Sequence, residues 1–368
     1  MMKHKYLVAI PAVAFASLLF AGLAVSVMSL KAIPDKDWQE LKDPAKILGG
    51  AATKQFTRLL NQHFVLSPTF SSIERGLLWN VTGDWGSGVR GGCDDWLFLA
   101  EELEVHPDRE KSAAFRSQLA ERLHAHLAAR GIQLLMVVVP DKTRIESAHL
   151  CDLRRPDRFA QRVVNWTGGL KDKGIATLDL TATLTQASGE HYYRTDTHWN
   201  EIGANVAAQA VAARLTQLHW AAQNQGGAVT LNPVRSPRSG DLIHLAGIDG
   251  LPAFLRPNPE QAQVTNVAPI AVASDDLFGD AGLPSIALVG TSYSRNSNFV
   301  PFLEHHLGEP VANLAKDGGA FAGAAISYFS GATFRNNPPK VVVWEIPERM
   351  LESPVTDAER GWTKKLLD

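Results

Sequence analysis

The chain has 368 residues, 45% hydrophobic and 20% charged, with a formal net charge of −2. This is ordinary globular composition, long enough for one large domain or two smaller ones. It excludes the basic stripe of a nucleic-acid-binding protein, and the chain carries no low-complexity tract and no repeat of fixed period.

At the N-terminus, Lys3, His4 and Lys5 precede an uncharged run from Tyr6 to Leu30. A run of about 25 residues exceeds a signal-peptide core and spans a bilayer with some tilt. The basic flank predicts a cytoplasmic start, so the body lies outside. Residues 1–30 are therefore expected to be a signal anchor. A cleavable signal is the competing reading, with Ala21, Ala24 and Ser26 as small residues for a peptidase; either way the body is exported. Residues 31–85 read as a stem packing on the domain, with scattered helical periodicity between Ala51 and Trp79.

The segment Gly86–Cys93 reads as turns leading into a short strand, Asp95–Leu99. Glu110 to Arg130 has Phe115, Leu119, Leu123 and Leu127 at fourfold spacing and ends at Gly131, which predicts a helix. Ile132–Val139 is a continuous apolar run closed by Pro140, suited to a parallel strand buried on both faces. A helix over Phe159–Lys173, a strand over Ile175–Leu180 and an alanine-rich helix over Asn200–Leu218 follow. Later strands are Ser285–Val289, Val311–Leu314 and Lys340–Ile346. Helices alternating with apolar strands give an α/β class with a mostly parallel sheet, here over residues 86–352. Residues 223–279 break the rhythm with Gly, Pro and Asn and read as a long insertion; 353–368 read as a C-terminal tail.

Cys93 and Cys151 are the only cysteines. Paired, they close a loop worth about 4 kcal/mol in the chain-entropy model; two separate buried thiols are the alternative.

Catalytic groups in open α/β sheets collect at the carboxyl ends of strands. After Ser285–Val289 comes Gly290-Thr-Ser-Tyr-Ser294 and a helix predicted over Asn296–Leu307, shortened or bent at Pro301. Ser292 at a tight strand-to-helix turn is a candidate nucleophile beside unpaired helix-start N–H groups. An ordinary N-cap serine is the plain alternative, with Ser294 the better cap of the two. In His191-Tyr-Tyr-Arg-Thr-Asp-Thr-His-Trp-Asn200, Asp196 and His198 share a side if the stretch is extended. His198 is then a candidate base and Asp196 its orienter. Alternatively Asp196 caps the following helix, or His191, Asp196 and His198 hold a metal; that last set lacks a further ligand at usual spacing, and no metal is expected. Gly318 and Gly319 are oxyanion candidates or a plain turn. Tyr193, Trp199 and Tyr293 are candidates to stack on a substrate, or packing residues.

Asp196-Thr-His-Trp199 with Asn200 and Gly203, followed by Gly290-Thr-Ser-Tyr-Ser294, resembles the alginate O-acetyltransferase family of AlgJ/AlgX type. Trp96–Leu99 with Glu101 and Leu103, Val137–Lys142, Gly240–Leu242 and Val342–Glu348 extend the resemblance over about residues 90–350. It implies an SGNH-hydrolase-like three-layer sandwich in circularly permuted order, because the Asp/His pair precedes the serine. The N-terminal anchor resembles the AlgJ-like members, and the segment after the last strand is too short for the carbohydrate-binding module of AlgX-like ones. The implied reaction is acetyl transfer through a Ser292 acyl-enzyme to hydroxyls of an exopolysaccharide, alginate, cellulose or similar, in the bacterial periplasm. The acetyl donor is expected from a multi-pass membrane acyltransferase partner, with no cofactor bound. A polysaccharide acetyl esterase and a non-catalytic polysaccharide-binding subunit are the competing functions.

Overall fold

The computed structural model describes residues 2–222, 232, 234–267 and 284–366. The chain divides into two units, Met1–Asp84 with Gly247–Arg256, and Trp85–Ala246 with Pro257–Asp368.

In the first unit the N-terminal run forms one helix, Met2–Lys31. Its Val13–Lys31 portion has a mean hydropathy of 2.2, long and apolar enough to cross a membrane. The stem is helical, with Asp35–Leu41, Pro44–Leu48, Ala51–His63 and Ser67–Thr82. Leu251 packs so closely on Gly76 that a Cβ there would lie 2.6 Å from its Cδ1.

Among the described residues the second unit carries nine strands: β1 Val89–Gly91, β2 Leu97–Leu99, β3 Gln133–Val139, β4 Ala176–Asp179, β5 Arg235–Arg238, β6 Glu260–Gln263, β7 Ile286–Val289, β8 Val311–Asn313 and β9 Val341–Pro347. Five of them build a sheet in the order β4-β3-β9-β7-β8, every pairing parallel. β1–β2 and β5–β6 are antiparallel pairs.

Period-two alternation sends successive side chains of each strand to opposite faces. Leu135, Val137, Val139, Ile286, Leu288 and Val343 enter one core with the helices Glu201–Gln217 and Phe299–Leu307. Leu134, Met136, Val138, Ala287, Val289, Val342 and Trp344 enter the other, with Arg109–Ala128 and Arg162–Lys171. With both faces covered, the predicted continuous apolar strands have their reason. The alanines 204, 207, 208 and 212 are buried on one side of their helix and permit its close approach.

Three expectations need correction. Residues 353–366 are not a tail: Thr356 and Glu359 form a capping box that starts the helix Asp357–Lys365. Trp362 of that helix enters the second core, and Glu359 pairs with the fully buried Arg116 at 3.0 Å. Nor is 223–279 one insertion, since 247–256 belong to the first unit while β5 and β6 pair in the second; 223–231, 233 and 268–283 lie outside the described residues. Finally, the helix after β7 begins at Phe299, because Ser297 and Asn298 take left-handed conformations (φ 57° each). Pro301 then falls in its first turn, where its missing N–H costs nothing.

Cys93 and Cys151 form a disulfide with Cα atoms 5.6 Å apart. It ties the turn before β2 to the segment after β3, and the Cys93 N–H also donates to the His149 carbonyl at 2.9 Å.

Candidate active site

The nucleophile turn follows β7. Ser292–Arg295 form one turn of 3-10 helix, capped by Thr291, whose hydroxyl accepts from the Tyr293 N–H. Thr291, rather than Ser292 or Ser294, is thus the capping residue. Ser294 is buried and donates to Glu345 Oε2 at 2.9 Å. The same carboxylate, carried on β9, accepts from the Thr291 N–H at 2.6 Å and from the Thr291 hydroxyl. Burial pushes the Glu345 carboxyl above its ordinary pKa, which these hydrogen bonds partly offset. Gly290 must lack a side chain: a Cβ there would lie 2.5 Å from Ser294 Oγ and 2.6 Å from Glu345 Oε2. The turn therefore holds Ser292 half-exposed above a buried carboxylate.

The partner residues sit on a tight hairpin. Tyr192 and Trp199 bridge antiparallel, and the Tyr193 N–H donates to the His198 carbonyl at 3.1 Å. Asn200, not Asp196, caps the alanine-rich helix, accepting from Gly203 N–H at 3.0 Å. Asp196 is thereby free to face His198. Its Oδ1 accepts from the His198 main-chain N–H at 2.9 Å and lies 2.7 Å from His198 Nδ1. His198 Nε2 lies 2.7 Å from Ser292 Oγ. These contacts place a proton acceptor against the hydroxyl and fix the imidazole by its other nitrogen.

The second oxygen of Asp196 faces Arg238, with Nη2 to Oδ2 at 2.6 Å, and accepts from the Asp241 N–H at 3.3 Å. Burial alone would raise the Asp196 pKa. The His198 hydrogen bond and the His198 and Arg238 charges outweigh it and hold the carboxyl well below the usual range. Asp241 Oδ1 accepts from the Thr197 N–H at 2.7 Å, and Oδ2 lies 3.7 Å from His198 Nδ1. Burial and the charge of Asp196 raise the Asp241 pKa. Asp196, His198 and Asp241 bring one ligand atom each within 4.8 Å of one another, and His191 is not in that group. Both His198 ring nitrogens are engaged, and Arg238 already supplies a cation to Asp196.

Beneath the hairpin lies Lys142. Its ammonium donates to the carbonyls of Leu97, Arg194 and Asp196 at 2.5, 2.9 and 3.0 Å. It also lies 5.0 and 5.1 Å from the ring centroids of Trp96 and Phe98. Burial lowers its pKa to about 8. At the ends of β3 and β9, Glu348 accepts from Arg144, Arg155 and Arg162, and Arg162 also contacts Asp141.

The remaining sequence candidates fare differently. Gly318 (φ 65°) and Gly319 form the turn into Gly323–Phe329, with Gly319 O accepting from Gly323 N–H at 2.7 Å. This loop meets the nucleophile turn through Lys316 N–H to Gly290 O at 3.1 Å and the Arg295–Asp317 pair at 3.5 Å. Among the described residues the Ser292 N–H has no hydrogen-bond partner, which leaves it able to donate to an oxyanion. Tyr193, Trp199 and Tyr293 are not open stacking faces: they are 6%, 0% and 0% exposed. Trp199 and Tyr293 pack edge to face at 5.2 Å, and the Tyr293 hydroxyl donates to the Thr197 carbonyl at 3.0 Å. Tyr193 lies under the Arg238 guanidinium at 4.6 Å. Trp199 and Tyr293 thus pack inside the fold, while Tyr193 also lines a cavity with Tyr192, Arg194 and Glu260.

Arg238, Asp241, Glu345 and the role of Lys142 were missed from sequence. The only signal for them was their place inside the segments that carried the family resemblance or, for Arg238, two residues before one.

Residues 89–348 match the family model described as an SGNH hydrolase-like domain, acetyltransferase AlgX. A relative named probable alginate O-acetylase AlgJ, from Pseudomonas syringae pv. tomato, is 32% identical over 312 residues, covering 83% of this chain and 80% of the relative. The protein of that name from Pseudomonas aeruginosa is 30% identical over 363 residues, 94% of this chain and 92% of its own. Among solved structures, the O-acetyltransferase domain of Pseudomonas putida AlgJ superposes with a TM-score of 0.66 at 30% identity, over 76% of this chain and 98% of that one. Pseudomonas aeruginosa AlgX superposes with a TM-score of 0.54 at 26% identity, over 72% of this chain and 63% of that one.

Proposed function

The chain belongs to the family of SGNH hydrolase-like acetyltransferases typified by AlgX, and from that membership we propose that it transfers acetyl groups through Ser292 to hydroxyls of an exopolysaccharide outside the cytoplasmic membrane. The observation that carries the reading is the Ser292–His198–Asp196 relay, with both contacts at 2.7 Å.

The steps follow from that geometry. Ser292 Oγ attacks the acetyl carbonyl of the donor as His198 Nε2 takes its proton. The tetrahedral oxyanion is held by the Ser292 N–H. Collapse expels the donor's leaving group, which takes the proton from His198, and leaves acetyl-Ser292. A sugar hydroxyl then gives its proton to His198 and attacks the acyl carbon, and Ser292 departs with that proton. Asp196 stabilises the imidazolium at each stage. No step calls for a bound cofactor.

The relatives' names make alginate the first acceptor to try. In this reading the helix Met2–Lys31 is an uncleaved anchor, and the acetyl donor reaches the site from a multi-pass membrane acyltransferase.

The test is a small acetyl ester offered with and without alginate oligosaccharide. Acetylated oligosaccharide accumulating with wild type, and not with Ser292→Ala, supports transfer. Ester hydrolysis with no sugar product moves the reading to an esterase. Unchanged polymer acetylation in cells carrying Ser292→Ala leaves only a binding role.

A further inference from the structure

The stem meets the apolar N-terminal helix at one defined place. Ser29 is fully buried, donating to the Val25 carbonyl and accepting from the Val65 N–H at 3.1 Å. Ser29 lies inside the candidate span, two residues before its outer end at Lys31. At 1.5 Å of rise per residue this is about 3 Å inside that end. Covering extends to Val25, half-buried on the same helix, and to Ile33, buried just past its end. Along Ala51–His63 the order of contacts is also fixed. Phe56 lies 6.1 Å from the ring of Trp38, beyond the end of the span, whereas Val65, just past the helix, reaches back to Ser29. The helix thus runs toward the bilayer, and the chain turns there between Ala51–His63 and Ser67–Thr82. The residues at the turn are Phe64, Val65 and Leu66, all apolar, with Val65 42% exposed.

We infer that the Phe64–Val65–Leu66 turn is a second membrane contact, seated in the outer headgroup layer and fixed in depth by the Ser29–Val65 hydrogen bond. This rests on the anchor reading above. An amphipathic membrane contact sits roughly 5–10 Å into the headgroup and acyl boundary, a depth consistent with a turn tied to Ser29. Burying apolar side chains there is favourable, and the Ser29 hydroxyl, satisfied on both sides, carries no unpaired polar group into the bilayer. The partner is the lipid surface itself, and the consequence is a stem held against the membrane rather than swinging from a single helix.

The full chain in phosphatidylethanolamine–phosphatidylglycerol vesicles tests this. Because Cys93 and Cys151 are paired, an introduced cysteine is the only free thiol. An environment-sensitive fluorophore on Val65→Cys should lose intensity to lipids carrying a nitroxide near the headgroup and be shielded from aqueous iodide. The same label on Lys54→Cys, an exposed position in the first turn of Ala51–His63, should show the reverse. Equal iodide quenching at both positions, in a chain that resists carbonate extraction and has an intact N-terminus by mass, overturns the inference and leaves the anchor standing. A membrane-purified chain lacking residues 2–31 overturns the anchor reading, and this inference with it.

Discussion

Arg238 Nη2 lies 2.6 Å from Asp196 Oδ2, so the two oxygens of one carboxylate serve two partners, the Arg238 guanidinium and the His198 imidazole. Arg238 stands on β5 of the hairpin whose other strand, β6, carries Glu260. Glu260 in turn accepts from the N–H groups of Arg194 and Thr195. The hairpin grips the catalytic loop at both its charged side chain and its backbone. Replacing Arg238 by Gln should lower kcat/KM for ester hydrolysis by about tenfold, the size of losing one charged hydrogen bond discounted for partial exposure. Arg238→Lys should recover part of it, and steady-state kinetics of the three proteins decide the matter.

Ser292→Ala should reduce turnover of a small acetyl ester by on the order of a thousandfold or more, and Asp196→Asn by a comparable factor, because triad members act as a unit. Circular dichroism should show both variants folded. Retained activity in Ser292→Ala would assign the nucleophile elsewhere.

Gly240 faces the same loop from the other side. A Cβ at this position would lie 2.0 Å from the Thr195 carbonyl oxygen and 2.5 Å from the Asp196 nitrogen, both main-chain atoms. Gly240→Ala should therefore displace Asp196 and lower activity sharply while costing about 1–3 kcal/mol of stability, the usual size of overpacking. Parallel urea melts and kinetics check both halves.

Glu348 supplies a pH prediction. Burial alone would raise its pKa, but the Arg144 hydrogen bonds and the charges of Arg162, Arg155 and Arg144 hold it well below the ordinary carboxyl value of 4.5. A carboxyl depressed in the folded state contributes stability that is complete above its unfolded pKa. Below about 4.5 the unfolded chain takes up the proton first, and that stability drains as pH falls toward the folded value. Denaturant midpoints should fall more steeply below pH 4.5 in wild type than in Glu348→Gln. At pH 7 Glu348→Gln should cost about 3–5 kcal/mol, because it strips buried guanidinium groups of their partner.

The sheet was legible because β7 is apolar throughout, β3 is apolar from Leu134 to Val139 just before Pro140, and β9 is apolar except for Glu345. Ser292 was legible because it follows the apolar strand β7, and Asp196 and His198 because two residues of complementary chemistry lie two apart just before the alanine-rich helix. Arg238 was not, since β5 comes from a stretch without periodicity and its partner is 42 residues away. The role of Lys142 was not legible either, because only the fold reveals the three carbonyls that enclose it. Tyr193, Trp199 and Tyr293 could be placed near the site but not oriented, because aromatic type is equally suited to stacking on sugar and to filling a core. The last helix was overlooked because a nine-residue, mostly charged segment hides a single anchoring Trp362.

The disulfide stands at the start of a line of contacts. Cys93 is bonded to Cys151 and hydrogen-bonded to His149 O, and the His149 ring stacks on Trp96 at 4.1 Å. Trp96 lies under the Lys142 ammonium, which holds the Asp196 carbonyl. In the reducing cytoplasm that line has no fixed first member, because thiols there stay apart. The loop that carries Asp196 therefore has this fastening only where the two cysteines are oxidised.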